Sequence, residues 1–147
     1  MSKIIAAIIE DEVPAARLLH EMIQTLRPDW EVRVLPGTIE ESVEWFRSNP
    51  HPDILFLDIQ LTDGNSFMFI EQAQPNSMIV FTTAYDEYAL EAFRVSSIDY
   101  LLKPVTLSSL EHALNKFFLF NPAEREEHIQ RTNSAIKNRC EVRKLLI

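Results

Sequence analysis

Acidic side chains follow two of the apolar runs in this chain and carry its most specific chemical signal. The run Ile54–Leu57 ends directly in Asp58, and an earlier apolar run ends in Glu10 and Asp11. An uninterrupted apolar run of this length is typical of a strand buried in a parallel sheet. The carboxyl ends of parallel strands meet at one edge, where open α/β sheets bind their ligands. The sequence therefore predicts that the three carboxylates lie close together.

Two later apolar runs end in groups that can bind a phosphoryl group. Ile79–Phe81 leads to Thr82 and Thr83, and alternation along the strand favours Thr83 as the residue at the strand end. Tyr100–Leu102 leads to Lys103. A threonine hydroxyl can donate a hydrogen bond, and a lysine ammonium is a compact positive charge. If the strands are parallel, these groups converge on the carboxylates.

Three neighbouring carboxylates repel one another, and a folded protein keeps them together mainly to bind a cation. Glu10, Asp11 and Asp58 offer hard oxygen ligands with no histidine or cysteine nearby, which suits Mg²⁺. Such a cation would neutralise phosphoryl oxygens while the Asp58 carboxylate attacks the phosphorus, giving an acyl phosphate. The pattern predicts a phosphoacceptor site.

The elements that must position these groups alternate between strand and helix. Strands are predicted over 3–9, 30–35, 54–57, 78–81 and 98–102, and helices over 14–26, from Thr38, over 66–74, over 86–94 and from Thr106. Five such repeats predict an α/β protein with a parallel sheet covered on both faces. Right-handed crossovers favour a flavodoxin-like (βα)5 doubly wound sheet with strand order 2-1-3-4-5. That order sets the strands before Glu10 and Asp58 side by side.

Composition excludes several classes of protein. The only glycines are Gly37 and Gly64, so the glycine-rich loops of P-loop enzymes and Rossmann dehydrogenases are excluded. The net charge is −8, with the acidic excess in residues 1–122, which should repel a nucleic-acid backbone. One cysteine excludes an internal disulfide framework. With no signal peptide or apolar stretch long enough to span a bilayer, a cytoplasmic location and no membrane contact are expected.

The character of the chain changes after Phe120. Residues 122–141 are polar and open on a helix start, whereas Val142–Ile147 resembles the first part of a strand. A chain that stops inside an apolar run suggests a truncated longer protein. We therefore expect one domain over 1–121, followed over 122–147 by a linker helix and the stub of a missing effector domain.

The ordered motifs resemble the receiver domain of two-component response regulators over about residues 3–120. The matching motifs are the acidic pair Glu10-Asp11, the acceptor Asp58, Thr83-Ala84 and Lys103-Pro104. The resemblance implies that Asp58 accepts a phosphoryl group from a sensor histidine kinase and that Thr83 and Lys103 bind that group. Glu10 departs from the pattern, because aspartate is commoner at this position.

The resemblance also implies a metal site and a switch. The backbone carbonyl of Gln60 would complete the Mg²⁺ site, and the peptide bond before Pro104 would be cis. Tyr100 stands at the family's switch aromatic. Phosphorylation would reshape the face formed by the predicted helix 86–94, the strand 98–102 and the last helix, favouring a homodimer or an effector.

The stretches 82–93 and 99–104 resemble the subgroup whose effector is a LytTR-type DNA-binding domain. This subgroup regulates transcription, so DNA contact is expected only through a missing effector. The receiver itself is expected to be no enzyme beyond assisting its own phosphorylation and dephosphorylation.

Other interpretations remain open at this point. Taken alone, Asp58 is typical of a turn residue after a strand, and Tyr100 of a core residue. A pseudo-receiver would keep the fold as a phosphorylation-independent interaction module. A phosphohydrolase of the haloacid dehalogenase type also uses an aspartate nucleophile with Mg²⁺. Its second acid, two residues on, would fall at Gln60.

Overall fold

Five parallel strands form the central sheet of the protein. A computed structural model describes residues 3–84 and 99–146, with side chains described as far as Lys137. The strands are β1 (Ile5–Ile9), β2 (Glu31–Val34), β3 (Ile54–Asp58), β4 (Met78–Thr83) and β5 (Asp99–Leu102). Their order is β2-β1-β3-β4-β5, and every neighbouring pair is parallel. The predicted flavodoxin-like order is confirmed.

Helices alternate with these strands. They are α1 (Val13–Leu26), α2 (Ile39–Ser48), α3 (Ser66–Ala73), α4 (Leu107–Phe117) and α5 (Pro122–Leu146). The helix α4 is the one predicted to follow Thr106. The helix predicted over 86–94 lies outside the described residues.

Capping signals in the sequence mark where two helices begin. The Thr38 hydroxyl accepts the backbone N–H of Glu41 at 3.2 Å, so α2 begins at the next residue, Ile39. Thr106 and Ser109 exchange reciprocal hydrogen bonds in a capping box at the start of α4. Each cap satisfies backbone donors that a helix start would otherwise leave unpaired.

Side chains of the sheet alternate between two buried faces. One face, with Phe56 and Val80 at its centre, packs against α1 and α4. The opposite face, with Leu55 and Phe81, packs against α2 and α3. All five residues of β3 are buried, which accounts for the continuous apolar run of the first four, Ile54–Leu57. The strand that carries Asp58 is therefore enclosed on both faces, as is its neighbour β4.

The C-terminal helix α5 is part of this core. Ile129 packs into the cluster of the α1–α4 face, and Ile136 is fully buried in the cluster of the α2–α3 face. Between them, the Asn133 amide donates to the Pro75 carbonyl at 3.2 Å. The helix thus crosses the edge at which β3 and β4 begin, opposite to the edge where Asp58 lies. The predicted linker helix exists, but it is packed against the domain.

The strand predicted over 142–147 is wrong, because the backbone stays helical through Leu146. Adding a residue to an existing helix is far easier than starting one, and Arg143, Lys144 and Leu145 are good helix formers. The division of the chain after residue 121 stays a prediction. Among the described residues, no helix is both long and apolar enough to cross a membrane.

Truncating the buried side chain of Ile136 tests whether α5 is packed against the core. Ile136→Ala should lower the free energy of unfolding by about 2–4 kcal/mol, because the side chain leaves a cavity in the core. The neighbouring exposed Lys137 provides the control, and Lys137→Ala should change it by less than about 0.5 kcal/mol. Urea unfolding measures both. Equal, small effects of the two substitutions would contradict the docked helix.

Candidate functional site

Strand register brings the predicted residues to one edge of the sheet. Ile9 pairs with Leu57, so Glu10 and Asp58 follow at the same level on adjacent strands. Asp58 pairs with Thr82 on the other side. The Thr83 carbonyl accepts the backbone N–H of Lys103 at 2.7 Å, which fixes the end of β5 beside the end of β4.

The three acidic residues form a compact cluster. One carboxylate oxygen each from Glu10, Asp11 and Asp58 lies within 4.8 Å of the others. Glu10 and Asp58 are only 7% and 6% exposed, whereas Asp11 is half-buried. Among the described residues, no other three potential metal ligands approach one another as closely. The structure thus brings together the carboxylates singled out from the sequence.

Lys103 supplies the positive charge of the site. Its ammonium donates to Asp58 Oδ2 at 3.0 Å and also to Glu10 Oε1. Burial by itself would lower the pKa of Lys103, but the hydrogen bonds to the two carboxylates outweigh burial and raise that pKa. The lysine therefore stays charged at neutral pH.

The negative charge of Glu10 is disfavoured in this arrangement. Burial raises the pKa of Glu10 to about 7, and repulsion from Asp58 adds to the rise, although the hydrogen bond from Lys103 acts in the opposite direction. One ammonium does not offset three clustered carboxylates, so the cluster retains excess negative charge. Such a cluster favours either a proton or a cation.

Backbone donors hold two of the carboxylates in place. Asp58 Oδ1 accepts the Gln60 N–H at 3.2 Å, and Glu10 Oε2 accepts the Glu12 N–H at 3.2 Å. The backbone of Gln60 therefore lies directly beside Asp58. The role predicted for the Gln60 carbonyl as a metal ligand stays a prediction.

The two threonines at the end of β4 lie on opposite faces of the sheet. Thr82 lines the same cleft as Glu10 and Lys103. Thr83 is fully buried, and by strand alternation it shares the α2–α3 face with Tyr100, which is half-buried against that cluster. Thr83 and Tyr100 are thus on one face of neighbouring strands. Their predicted roles in phosphoryl binding and switching stay predictions.

The peptide bond between Lys103 and Pro104 is cis, as the resemblance implied. Here the chain leaves β5 and turns towards α4, whose cap is Thr106.

A hairpin between β3 and α3 was not predicted from the sequence. Gln60–Leu61 pairs antiparallel with Gly64–Asn65, and the tip residues are Thr62 and Asp63. The Thr62 hydroxyl donates to Asp11 Oδ2 at 2.8 Å, which ties the tip to the acidic cluster. The Asp63-Gly64 dipeptide is a turn signal that could have located the hairpin tip. Nothing in the sequence spacing indicates the contact with Asp11.

Gly37 allows another loop to approach the acidic turn. A Cβ atom at this position would lie 2.8 Å from the Cα of Asp11 and 3.0 Å from the Glu10 carbonyl oxygen. Only glycine fits such a close backbone approach without displacing the acidic turn. The sequence alone does not indicate this role of Gly37.

The fold and site together define the class of protein. The sequence profile of the response regulator receiver domain matches residues 6–115, and the chain belongs to this family. Response regulator receiver domains are signalling domains that sensor histidine kinases phosphorylate.

The relatives of this chain include response regulators of the LytT and LytR type. The chain is 36% identical over 115 residues to the sensory transduction protein LytT of Bacillus anthracis, covering 75% of this chain and 45% of that protein. It is 33% identical over 114 residues to the transcriptional regulatory protein LytR of Staphylococcus aureus, covering 76% and 46%. The resemblance to LytTR-type regulators is confirmed. The chain spans about half the length of these relatives.

Solved structures of other response regulators have the same fold. The response regulatory domain of protein mrkE from Klebsiella pneumoniae superposes with a TM-score of 0.68 at 28% identity, covering 79% of this chain and 96% of that one. A two-component response regulator from Clostridium difficile gives a TM-score of 0.67 at 22% identity, covering 80% and 97%, which supports the fold alone.

The raised pKa of Glu10 predicts how stability depends on pH without Mg²⁺. The folded protein keeps this proton up to about pH 7, whereas the unfolded chain loses it near pH 4.5. Raising the pH through this window therefore lowers stability, by about 3 kcal/mol at most. Urea unfolding in a chelator across this range measures the effect, and Glu10→Gln should remove this part of the pH dependence. Identical pH profiles for wild type and variant would contradict the burial of an ionisable Glu10.

Proposed function

We propose that this domain accepts a phosphoryl group on Asp58 from a sensor histidine kinase in a Mg²⁺-dependent reaction. The proposal rests on one observation, the group of charged side chains at the carboxyl ends of the parallel strands. Asp58 is nearly buried, its carboxylate lies beside Glu10 and Asp11, and the Lys103 ammonium is 3.0 Å from its Oδ2.

The residues present suit Mg²⁺. Glu10, Asp11 and Asp58 provide oxygen donors only, and their clustered negative charges favour a cation. The pKa of Glu10, raised by burial and further by repulsion from Asp58, is a sign of this unfavourable charge. These carboxylates would hold the ion, with the Gln60 carbonyl as a further ligand. When bound, Mg²⁺ supplies positive charge that offsets the negative charge of the phosphoryl oxygens.

The chemistry of the protein residues follows from their positions. An Asp58 carboxylate oxygen forms the new bond to phosphorus as the bond from phosphorus to the histidine nitrogen breaks, and the imidazole leaves with the bonding electron pair. Lys103 keeps its proton and can shift its hydrogen bond from Asp58 to a phosphoryl oxygen. Thr83 donates its hydroxyl to another phosphoryl oxygen.

The output of this reaction is proposed to be a change of surface. Movement of Thr83 towards the phosphoryl group would open space on the face that it shares with Tyr100. A rearranged Tyr100 would then reshape the surface of β5 and α4, together with the predicted helix 86–94. That change would favour a homodimer or act on an effector.

The effector itself is proposed from the relatives. Transcriptional regulatory protein LytR of Staphylococcus aureus is about twice as long as the matched region. We infer that residues 1–121 form the receiver and that 122–147 lead into a LytTR-type DNA-binding domain. Any contact with DNA would be made by that domain.

Two other functions are disfavoured by particular residues. A phosphohydrolase of the haloacid dehalogenase type needs a second acid two residues after the nucleophile, where this chain has Gln60. A pseudo-receiver has no need of the acidic cluster and the lysine, which are both present in register.

Phosphorylation of Asp58 can be read directly by intact-mass spectrometry. Incubation with acetyl phosphate and Mg²⁺ should add one phosphoryl group, and both Asp58→Asn and removal of Mg²⁺ should abolish the adduct. Asp53 offers a matched control, because it lies at the opposite end of β3, where its carboxylate accepts the Ile5 N–H. Asp53→Asn should keep the adduct.

The alternatives predict different results. An adduct that persists in Asp58→Asn would show that the acceptor is wrong. Absence of both adduct and Mg²⁺ binding in the wild type would favour the pseudo-receiver, and release of phosphate over many turnovers would favour a phosphohydrolase.

A further inference from the structure

We propose that Thr62 is a positioning residue of the cation site, acting by holding the Asp11 carboxylate through its hydroxyl. This inference rests on the proposed Mg²⁺-dependent function. Its central observation is the hydrogen bond from Thr62 Oγ1 to Asp11 Oδ2, at 2.8 Å and across 51 residues of sequence.

Asp11 is the carboxylate that most needs such a partner. It is the most exposed of the three acids, whereas Glu10 and Asp58 are buried and both accept hydrogen bonds from Lys103. Among the described residues, Thr62 is the side chain that donates to the Asp11 carboxylate. With one oxygen engaged by Thr62, the other remains available to a cation. Hydrogen bonds of this kind orient carboxylate ligands in metal sites.

The position of Thr62 is fixed by its own hairpin. The strands on either side pair through Gln60 with Asn65 and through Leu61 with Gly64. A side chain on a restrained hairpin tip loses less conformational freedom when it makes a hydrogen bond.

Asp63 fastens the same tip to a helix. Its two carboxylate oxygens accept the N–H groups of Ile39 at 2.8 Å and Glu40 at 3.1 Å, at the start of α2. Burial by itself would raise the pKa of Asp63, but these backbone hydrogen bonds lower it overall, so the carboxylate is charged at neutral pH. The negative charge also suits the positive end of the α2 dipole.

Asp11 is restrained from the other side by Gly37. The approach of Gly37 to the Asp11 Cα leaves no room for a Cβ atom, so this contact fixes the main chain of Asp11. Thr62 then fixes its side chain. Replacing the hydroxyl with a methyl group frees the carboxylate to rotate, and binding a cation must then restrict that rotation.

Thr62→Val removes the hydroxyl at nearly constant volume, and Thr62→Ser restores it. Calorimetric titration with Mg²⁺ should show a dissociation constant about threefold to tenfold higher for the valine variant than for the wild type. This loss of affinity is smaller than is usual when a residue that orients a metal ligand is removed, because the hydrogen bond between Thr62 and Asp11 is exposed. The serine variant should lie within about twofold of the wild type. In phosphorylation by acetyl phosphate, the half-saturating Mg²⁺ concentration should rise by a similar factor, with a smaller effect on the rate at saturating Mg²⁺.

The matched control is Thr25→Val. The Thr25 hydroxyl donates only to the Glu21 carbonyl on an exposed turn of α1, at 2.8 Å. This control should bind Mg²⁺ as the wild type does. The thermal midpoint without Mg²⁺ shows whether either valine variant is merely less stable.

Each result has a defined meaning. Unchanged Mg²⁺ binding by Thr62→Val, an equal loss in Thr25→Val, or no recovery in Thr62→Ser would overturn the role of Thr62 and leave the phosphoacceptor proposal intact. A lowered rate at saturating Mg²⁺ with an unchanged dissociation constant would also overturn it. Failure of the wild type to bind Mg²⁺ would overturn the proposed function, and this inference with it.

Discussion

Like charges in a partly buried site repel strongly, and the carboxyl edge of this sheet holds three carboxylates beside one ammonium. Burial and mutual repulsion disfavour a negative charge on Glu10, as its raised pKa indicates. The hydrogen bonds of Lys103 and of the backbone at Gln60 and Glu12 offset part of this cost. The apolar packing of both faces of the sheet must supply the rest. Because this cluster retains excess negative charge, binding a cation there is favourable.

Three contacts hold the acidic cluster in place, and each joins distant parts of the sequence. Gly37 brings the β2–α2 turn against Asp11, Thr62 brings the hairpin tip to the same residue, and Asp63 fastens that tip to α2. The acidic turn is therefore enclosed by segments that are also bonded to one another. A displacement of Asp11 would have to disturb at least two of them.

The opposite edge of the sheet is covered by α5. Arg125 stacks over Phe117 at 4.0 Å and donates to the Phe120 carbonyl, which joins the start of α5 to the end of α4. Farther along, Ile129 and Ile136 enter the two faces of the core. The C-terminal helix is thus bound to the receiver at the end of the sheet remote from Asp58.

The sequence by itself determined the strand order, the helix caps and the edge at which the carboxylates and Lys103 meet. Periodicity and apolar runs are local signals, and the handedness of crossovers then leaves few topologies, so Asp58 could be placed from its strand alone. The docking of Ile129 and Ile136 could not be predicted, since isolated apolar residues in a mostly polar stretch do not reveal which surface they contact. The same holds for the contacts of Thr62, Asp63 and Gly37. Only the tertiary structure decided these, because each depends on the distance between segments that chain connectivity does not fix.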